Sequence, residues 1–407
     1  MTAGTTLAKG DHPVNPAIDL VSGEFWGRNP HGELTWLREN APVYWDGQVW
    51  GIACHADLKY VSLHPEQFCN GGGIRPDNAA IPMMIDQDGA EHKRRRNMVN
   101  RGFTPRRLAD SVEPINAWCE RIIDDVCERG ECDAVRDLAA WLPMHVIGDM
   151  LGFPESQRRS LLEWSDDMLK ALVGNADPEA MLPAAQAYAG FREFATAAIE
   201  DRRRAPGEDL VSLLVQGGTD GEDVNLEDVI HDALLILIGG DETTRHVISG
   251  GLYQLLRNPE AKQTLIDDPT RIPLAVEEML RWVSPIKNMA RTVVADTEVG
   301  GQRLAAGDKL LLLYPSANRD ASVFVDPFRF DIGRTPNDHV AFGIGTHFCL
   351  GNNLARLELV CFFETLLRRL PDIALVDDAE PAYRPANFVS GYESMPVRFS
   401  PAAGSRG

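Results

Sequence analysis

Phe342-Gly343-Ile344-Gly345-Thr346-His347-Phe348-Cys349-Leu350-Gly351 is the most chemically specific segment of this chain. A cysteine sits among small residues and leads straight into a helical pattern, in which Leu350, Leu354, Leu357 and Cys361 recur at three- and four-residue steps. Near a helix start, unpaired amides and the positive end of the macrodipole favour a thiolate over a thiol. The glycines let the backbone turn tightly and bring its N–H groups toward the sulfur. A side chain at Gly343, Gly345 or Gly351 would stop a flat group from lying against the loop. Such a loop can hold a metal-bound thiolate in a dry site, whereas a lone cysteine in a turn is commonly an inert core residue.

Upstream, Leu226 to Leu256 carries the other unusual pattern. Ala233-Leu234-Leu235-Ile236-Leu237-Ile238 is apolar on all sides, as in a helix buried through a domain centre. Gly239-Gly240-Asp241-Glu242-Thr243-Thr244 follows directly. Each glycine in a helix interior costs about 1 kcal/mol relative to alanine, so a helix stop is the plain alternative. Since His246, Val247, Leu252, Leu255 and Leu256 continue the periodicity, the pattern predicts a helix that runs on with a local distortion. His92 and Arg96, at i and i+4, share a helix face inside the basic run His92-Lys93-Arg94-Arg95-Arg96. Glu278 and Arg281 form an i,i+3 pair, which alone is worth only a few tenths of a kcal/mol.

In this order these motifs closely resemble those of the cytochrome P450 superfamily. The loop Phe-Gly-x-Gly-x-His-x-Cys-x-Gly, followed by Leu354-Ala355-Arg356, matches the family's haem-binding loop at every position. The resemblance implies that Cys349 is the metal ligand, the axial thiolate on haem iron. It implies that His92, Arg96, Arg291 and His347 hold the haem propionates, and that Gly240 and Gly351 border the cofactor. The glycines Gly239 and Gly240 would make room for O2, with Glu242 and Thr243 as the acid–alcohol pair that guides protons. Gly239 stands where alanine is commoner. The implied fold is mainly α with a smaller β region, a single domain over residues 1–407, with haem between a long central helix and the helix after the cysteine loop. Haem b and O2 are the implied cofactor and co-substrate. The chain has no attached flavin or iron–sulfur module, so electrons from NAD(P)H would arrive through separate proteins, a ferredoxin and its ferredoxin reductase.

Bulk properties agree with this class. A 407-residue chain that is 44% hydrophobic can bury a large core. Its formal net charge of −20 argues against a nucleic-acid surface. Seven cysteines without C-x-x-C spacing read as reduced thiols in a cytoplasmic protein. Met1 to Pro13 lacks a signal-type apolar core, and no run reaches the roughly 20 apolar residues of a membrane span. Within the basic cluster, Arg95, Arg101, Arg106 and Arg107 offer a landing site for an acidic electron donor. Asp46-Gly47 predicts a hairpin turn between strand-like runs at Val43–Trp45 and 49–52; a second hairpin is expected across Thr297 to Leu313, and a third around Asn387 to Tyr392. Helical stripes are expected over 138–151 and 156–172, and Gly217-Gly218 reads as a loop.

For substrate, the runs Gly71–Asp77, Pro82–Asp86, Ile238–His246 and Asn387–Gly391 are similar to a narrower bacterial group. That group oxidises the terminal methyl, C26 or C27, of the cholesterol or cholest-4-en-3-one side chain, through alcohol and aldehyde to acid. The substrate-binding candidates on this resemblance are Ile74, Met83, Met84, Leu235, Ile238, Gly239, Phe388 and Val389. Alternatives are a hydroxylase of another large apolar molecule (a macrolide, terpene or fatty acid) and a non-catalytic haem gas sensor or sterol-binding protein. Retention of Glu242-Thr243 weighs against pure binding, which needs no proton route.

Overall fold

Asn225 starts the helix that the other elements surround: its side chain accepts a hydrogen bond from Glu227 N at 3.0 Å. From there the helix runs unbroken from Leu226 to Arg257, through both glycines. The computed structural model describes residues 10–170, 178–217, 224–402 and 404, so Met1–Lys9, Leu172 and Gly218 lie outside the described residues. Val247, Ile248, Leu252 and Leu255 of the central helix are buried with Met279 and Val283 of the helix Ile272–Val283 and Phe362 of the helix Asn352–Arg369. Burial of each such side chain contributes about 1.5–3 kcal/mol, which is what holds these three helices in one bundle. On the other side the central helix packs against Trp141–Met150.

Thr104 and Pro105 begin the long helix Pro105–Cys127, which lies against Asn352–Arg369. The stripe expected over 138–151 is divided: a π-helical turn at Ala134–Ala139, entered from the Asp133 cap, precedes the regular helix. The stripe from 156 becomes the helix Arg158–Lys170, which packs on Pro178–Arg204.

The β region is small, as expected. Its main sheet orders the strands Val43–Trp45, Trp50–Ile52, Lys309–Leu313, Asn288–Val293 and Phe68–Cys69. Asp46 makes the first turn, its Oδ1 accepting from Gln48 N and Val49 N, both at 2.8 Å. The expected hairpin across Thr297 to Leu313 closes only at Gly300-Gly301, pairing Thr297–Val299 with Gln302–Leu304. Lys309–Leu313 instead crosses into the main sheet, antiparallel to Asn288–Val293 and parallel to Trp50–Ile52. Around Asn387 to Tyr392 no regular hairpin forms; single bridges join Val389 to Ile286 and Tyr392 to Tyr383. No described helix is long and apolar enough to cross a membrane.

Candidate active site

The cysteine loop folds back on itself, with Cys349 N donating to Phe342 O at 2.9 Å and Gly343 N to Val340 O at 2.9 Å. Gly343 and Gly345 take φ values of +68° and +78°, in the left-handed region that favours glycine. Arg356, one helical turn past the loop, lies 4.6 Å over the Phe342 ring and donates to Glu277 at 2.6 and 2.9 Å. That pairing ties the loop to the helix Ile272–Val283. A Cβ on Gly351 would meet nothing closer than 3.9 Å, and one on Gly343 nothing closer than 3.7 Å, so the loop's face is open to a flat group. Gly345 differs from expectation. A Cβ there would meet the Ser62 carbonyl at 2.5 Å, so this glycine serves packing against the helix His55–Leu63.

The helix after the loop begins at Asn352 with Gly351 as its cap. Burial pushes the Cys349 thiol above its usual range, against the Gly351 amide and the positive charges of Arg96 and Arg356. In this apolar setting the helix start alone does not favour the thiolate. A metal cation at the sulfur reverses that balance, since a coordinating thiol is deprotonated outright.

Beside the loop the structure gathers His92 and Arg96 from the helix Gly89–Asn100, Arg291 from the strand Asn288–Val293 and His347 from the loop itself. The His92 and His347 rings stack with centroids 4.0 Å apart, and the Nδ1 atoms of both are buried without a partner. Arg96 donates only to loop carbonyls, Thr346 O at 3.4 Å and Phe348 O. Buried Arg291 donates to Ala290 O at 2.8 Å. Among the described residues the sole acid near this cluster is Asp88, 3.9 Å from His347. Burial lowers the His92 pKa, with Arg96 adding to the effect; burial followed by His92 holds His347 down at about 2. A buried arginine without an anion and buried imidazole nitrogens without a partner are costly. They fit a group that brings its own carboxylates, as haem does with its propionates.

Across the cavity, Leu235, Gly239, Thr243 and Val247 follow at four-residue steps on one face of the central helix, with Ile238 beside them. Thr243 Oγ1 donates to Gly239 O at 2.8 Å. Glu242 is on a different face. Successive helix residues are about 100° apart, so an acid next to the cavity-facing threonine turns away from the cavity. It is fully buried in an ion cluster, bonded to Arg245 and to Arg384 at 3.2 Å, with His246 Nε2 3.2 Å away. Arg245 also meets Asp241 at 3.0 Å and the part-exposed Asp166 at 2.9 Å. Burial opposes the Glu242 charge, but Arg245, His246 and Arg384 outweigh it and hold the acid well below its usual range. Burial raises the other two acids of the cluster, Asp166 and Asp241, the latter to about 7. The two glycines also differ. A Cβ on Gly239 would meet nothing within 4 Å, whereas one on Gly240 would lie 2.8 Å from Ile147 Cγ1. Gly240 borders the cavity but is required for close approach of the helix Trp141–Met150.

Ile74, Met83, Met84, Phe388 and Val389 complete the cavity as its roof. Buried carboxylates shape this loop: Asp86 accepts from Ile74 N at 3.0 Å and Ile81 N at 2.8 Å, and Asp232 accepts from Met84 N at 2.7 Å. Arg95, expected on a surface patch, is instead buried, bonded to Asp232 Oδ2 at 2.8 Å and Pro82 O at 3.0 Å. Arg101, Arg106 and Arg107 are exposed.

Every candidate site residue except Glu242 therefore lines one cavity of about 1840 Å³, open mouth included. Among residues the motifs missed, Met289 lines it two positions before Arg291, a signal present in the strand's period-2 alternation. Arg334 was also missed. It joins Glu278 at 3.1 Å, alongside the two 2.7 Å bonds from Arg281, and makes the expected Glu–Arg pair a buried triad. Arg334 lies 56 residues beyond Glu278, and no local spacing signals it.

Known proteins share this chain's sequence pattern and fold. Residues 176–371 match the family pattern described as Cytochrome P450. The chain belongs to that family and is a haem-dependent monooxygenase that uses O2. It is 51% identical to a steroid C26-monooxygenase of Mycobacterium tuberculosis over 95% of this chain and 98% of that protein. It is 34% identical to a methyl-branched lipid omega-hydroxylase from the same species, over 98% of this chain and 99% of the relative. Its fold superposes on a Mycobacterium marinum cytochrome P450, solved in complex with pseudoionone, with a TM-score of 0.88 and 34% identity, covering 95% and 99% of the two chains.

Proposed function

We propose that this protein hydroxylates the terminal methyl, C26 or C27, of the cholesterol or cholest-4-en-3-one side chain and oxidises it further to the acid. One observation carries the reading: near-full-length identity of 51% to a steroid C26-monooxygenase, in a chain whose apolar cavity leads from the roof to Cys349. Each hydroxylation puts one oxygen atom of O2 into the C–H bond and reduces the other to water, consuming two electrons and two protons.

Haem supplies the oxidation chemistry when bound. In this reading Cys349 Sγ ligates its iron, and the loop that holds Cys349 N to Phe342 O fixes the sulfur's position. His92, Arg96, Arg291 and His347 take the propionates, with Gly240 and Gly351 bordering the ring. Thr243 holds and passes a proton at Oγ1. Glu242, behind it, takes protons directly from the part-exposed Asp166, whose carboxyl burial raises, while Arg245 stays charged and holds the two acids together. Ile74, Met83, Met84, Leu235, Ile238, Gly239, Phe388 and Val389 exclude water and guide the side chain inward. Residues 1–407 form a single haem domain. It works in the cytoplasm and takes NAD(P)H-derived electrons from a ferredoxin and its reductase, with Arg101 and Arg106 facing the acidic donor.

The test is titration of the ferric protein with cholest-4-en-3-one, followed by turnover with a ferredoxin pair. A saturable low- to high-spin Soret shift and a C26 or C27 alcohol are expected. A still Soret band together with a shift by a methyl-branched fatty acid would replace the sterol by the lipid that the 34% identical relative points to.

A further inference from the structure

Among the described residues Arg75 is the one cation lining the cavity that belongs neither to the loop cluster nor to the Glu242 network. Its side chain is 9% exposed, and its guanidinium lies 5.6 Å from the Phe388 ring centroid. Of its five N–H donors, Nε is buried with no partner, Nη2 faces only the Met83 sulfur at 3.8 Å, and Nη1 reaches Asp86 at 3.5 Å. Asp86 is already engaged by the Ile74 and Ile81 amides.

Two other buried arginines show what a strut looks like here. Arg281 binds Glu278 twice at 2.7 Å and the Asn318 and Pro327 carbonyls at 2.8 and 2.9 Å. Arg95 binds Asp232, Asp228 and Pro82 O. Arg75 has no such set, and the roof does not depend on its head. Ile74 O accepts from Ala290 N at 2.7 Å, and Lys309 Nζ donates to Arg75 O at 3.0 Å, so the segment is fixed through its backbone. A desolvated guanidinium kept under-bonded in an apolar cavity is a cost that a ligand's acceptor oxygen would offset.

We propose that Arg75 recognises an oxygen acceptor (a carbonyl, hydroxyl or anionic oxygen) on an otherwise apolar substrate, fixing which end of the molecule faces Cys349. For the sterol of the proposed function, on which this form of the inference rests, the acceptor is the 3-oxo or 3-hydroxy group. A site built to bond such an oxygen rejects the analogue without it.

The experiment measures Soret-shift affinities of cholest-4-en-3-one, cholesterol and 5α-cholestane, which lacks oxygen, for wild type, Arg75→Met and Arg75→Lys. Wild type is expected to prefer the oxygenated sterols about ten- to a hundredfold, the value of a hydrogen bond to a charged group. Arg75→Met should lose that preference while binding cholestane as wild type does; Arg75→Lys should retain part of it. Equal weakening for all three ligands, or a preference untouched by Arg75→Met, would overturn the inference. Should no sterol move the band, the sterol reading fails separately, and the same ratio is read on phytanic acid against phytane. A wild type that discriminates within neither set also overturns the role of Arg75.

Discussion

Neighbouring glycines on the central helix should respond to alanine with opposite signs. Both substitutions gain about 1 kcal/mol of helix propensity. At Gly239 nothing opposes the gain, because the new methyl has no atom within 4 Å. At Gly240 the methyl would stand 2.8, 3.0 and 3.1 Å from Cγ1, Cδ1 and Cβ of Ile147. Carbon pairs prefer about 3.5–4.0 Å, and a β-branched side chain in a helix has little rotamer freedom to yield. Ile147 is also 2% exposed in a packed core. Overpacking of this kind costs about 1–3 kcal/mol, so Gly240→Ala should be less stable than Gly239→Ala by about that amount, the propensity gain cancelling between them. The assay is equilibrium urea unfolding followed by tryptophan fluorescence and the Soret band. In a double-mutant cycle, Ile147→Ala should absorb much of the Gly240→Ala penalty. If the two alanines shift the midpoint equally, or Gly240→Ala proves the more stable, then Gly240 is not a helix-packing residue and its place is explained by the cofactor alone.

Cys349→Ser should abolish the reduced-CO thiolate spectrum while far-UV circular dichroism stays helical; a retained thiolate band would remove Cys349 as ligand. Thr243→Ala should leave sterol affinity within about twofold, since one hydroxyl bonded to Gly239 O is lost, yet cut product formed per NAD(P)H by about tenfold or more, as removal of a proton donor does. Unchanged coupling would refute its proton role. Asp241→Asn tests the ion cluster through pH. Folding raises the Asp241 pKa from 3.8 to about 7, so its contribution is fully present below 3.8 and lost as pH rises through about 7. The variant should therefore gain stability relative to wild type between pH 4 and 7 in pH-resolved urea melts; a pH-independent difference would refute the shift.

How much of this was legible beforehand depends on whether the determining contact is local. The Cys349 loop was readable because turn, glycines and helix start occupy consecutive positions. Leu235, Gly239 and Thr243 were named through the family resemblance, and their four-residue spacing, which a helix converts into direction, explains why they share a face. Reading failed where sequence adjacency stood in for spatial direction. Glu242 and Thr243 are neighbours in the chain and a hundred degrees apart on the helix, so only one faces the cavity. Gly239 and Gly240 are separated in the same way, one toward empty space and the other toward Ile147.

The run His92 to Arg96 shows why charge misled more than apolarity did. Apolar periodicity marks a buried face, but a run of five ionisable residues carries none, and helical phase is hidden within it. Arg95 falls on the buried side because Asp232, 137 residues away, supplies its counter-charge. Arg334 reaches Glu278 in the same manner. Buried charge in this fold is thus determined partly by local pairs such as Glu278–Arg281 and partly, as for Arg95 and Arg334, by partners on distant elements. For that reason the unpaired members can be seen only in the folded chain. Among the described residues Arg96, Arg291, His92 and His347 have no close acidic partner beside the cysteine loop, and Arg75 has only Asp86, at 3.5 Å and already bonded to two backbone amides. These are the places where the protein leaves room for charge or polarity supplied by something other than itself.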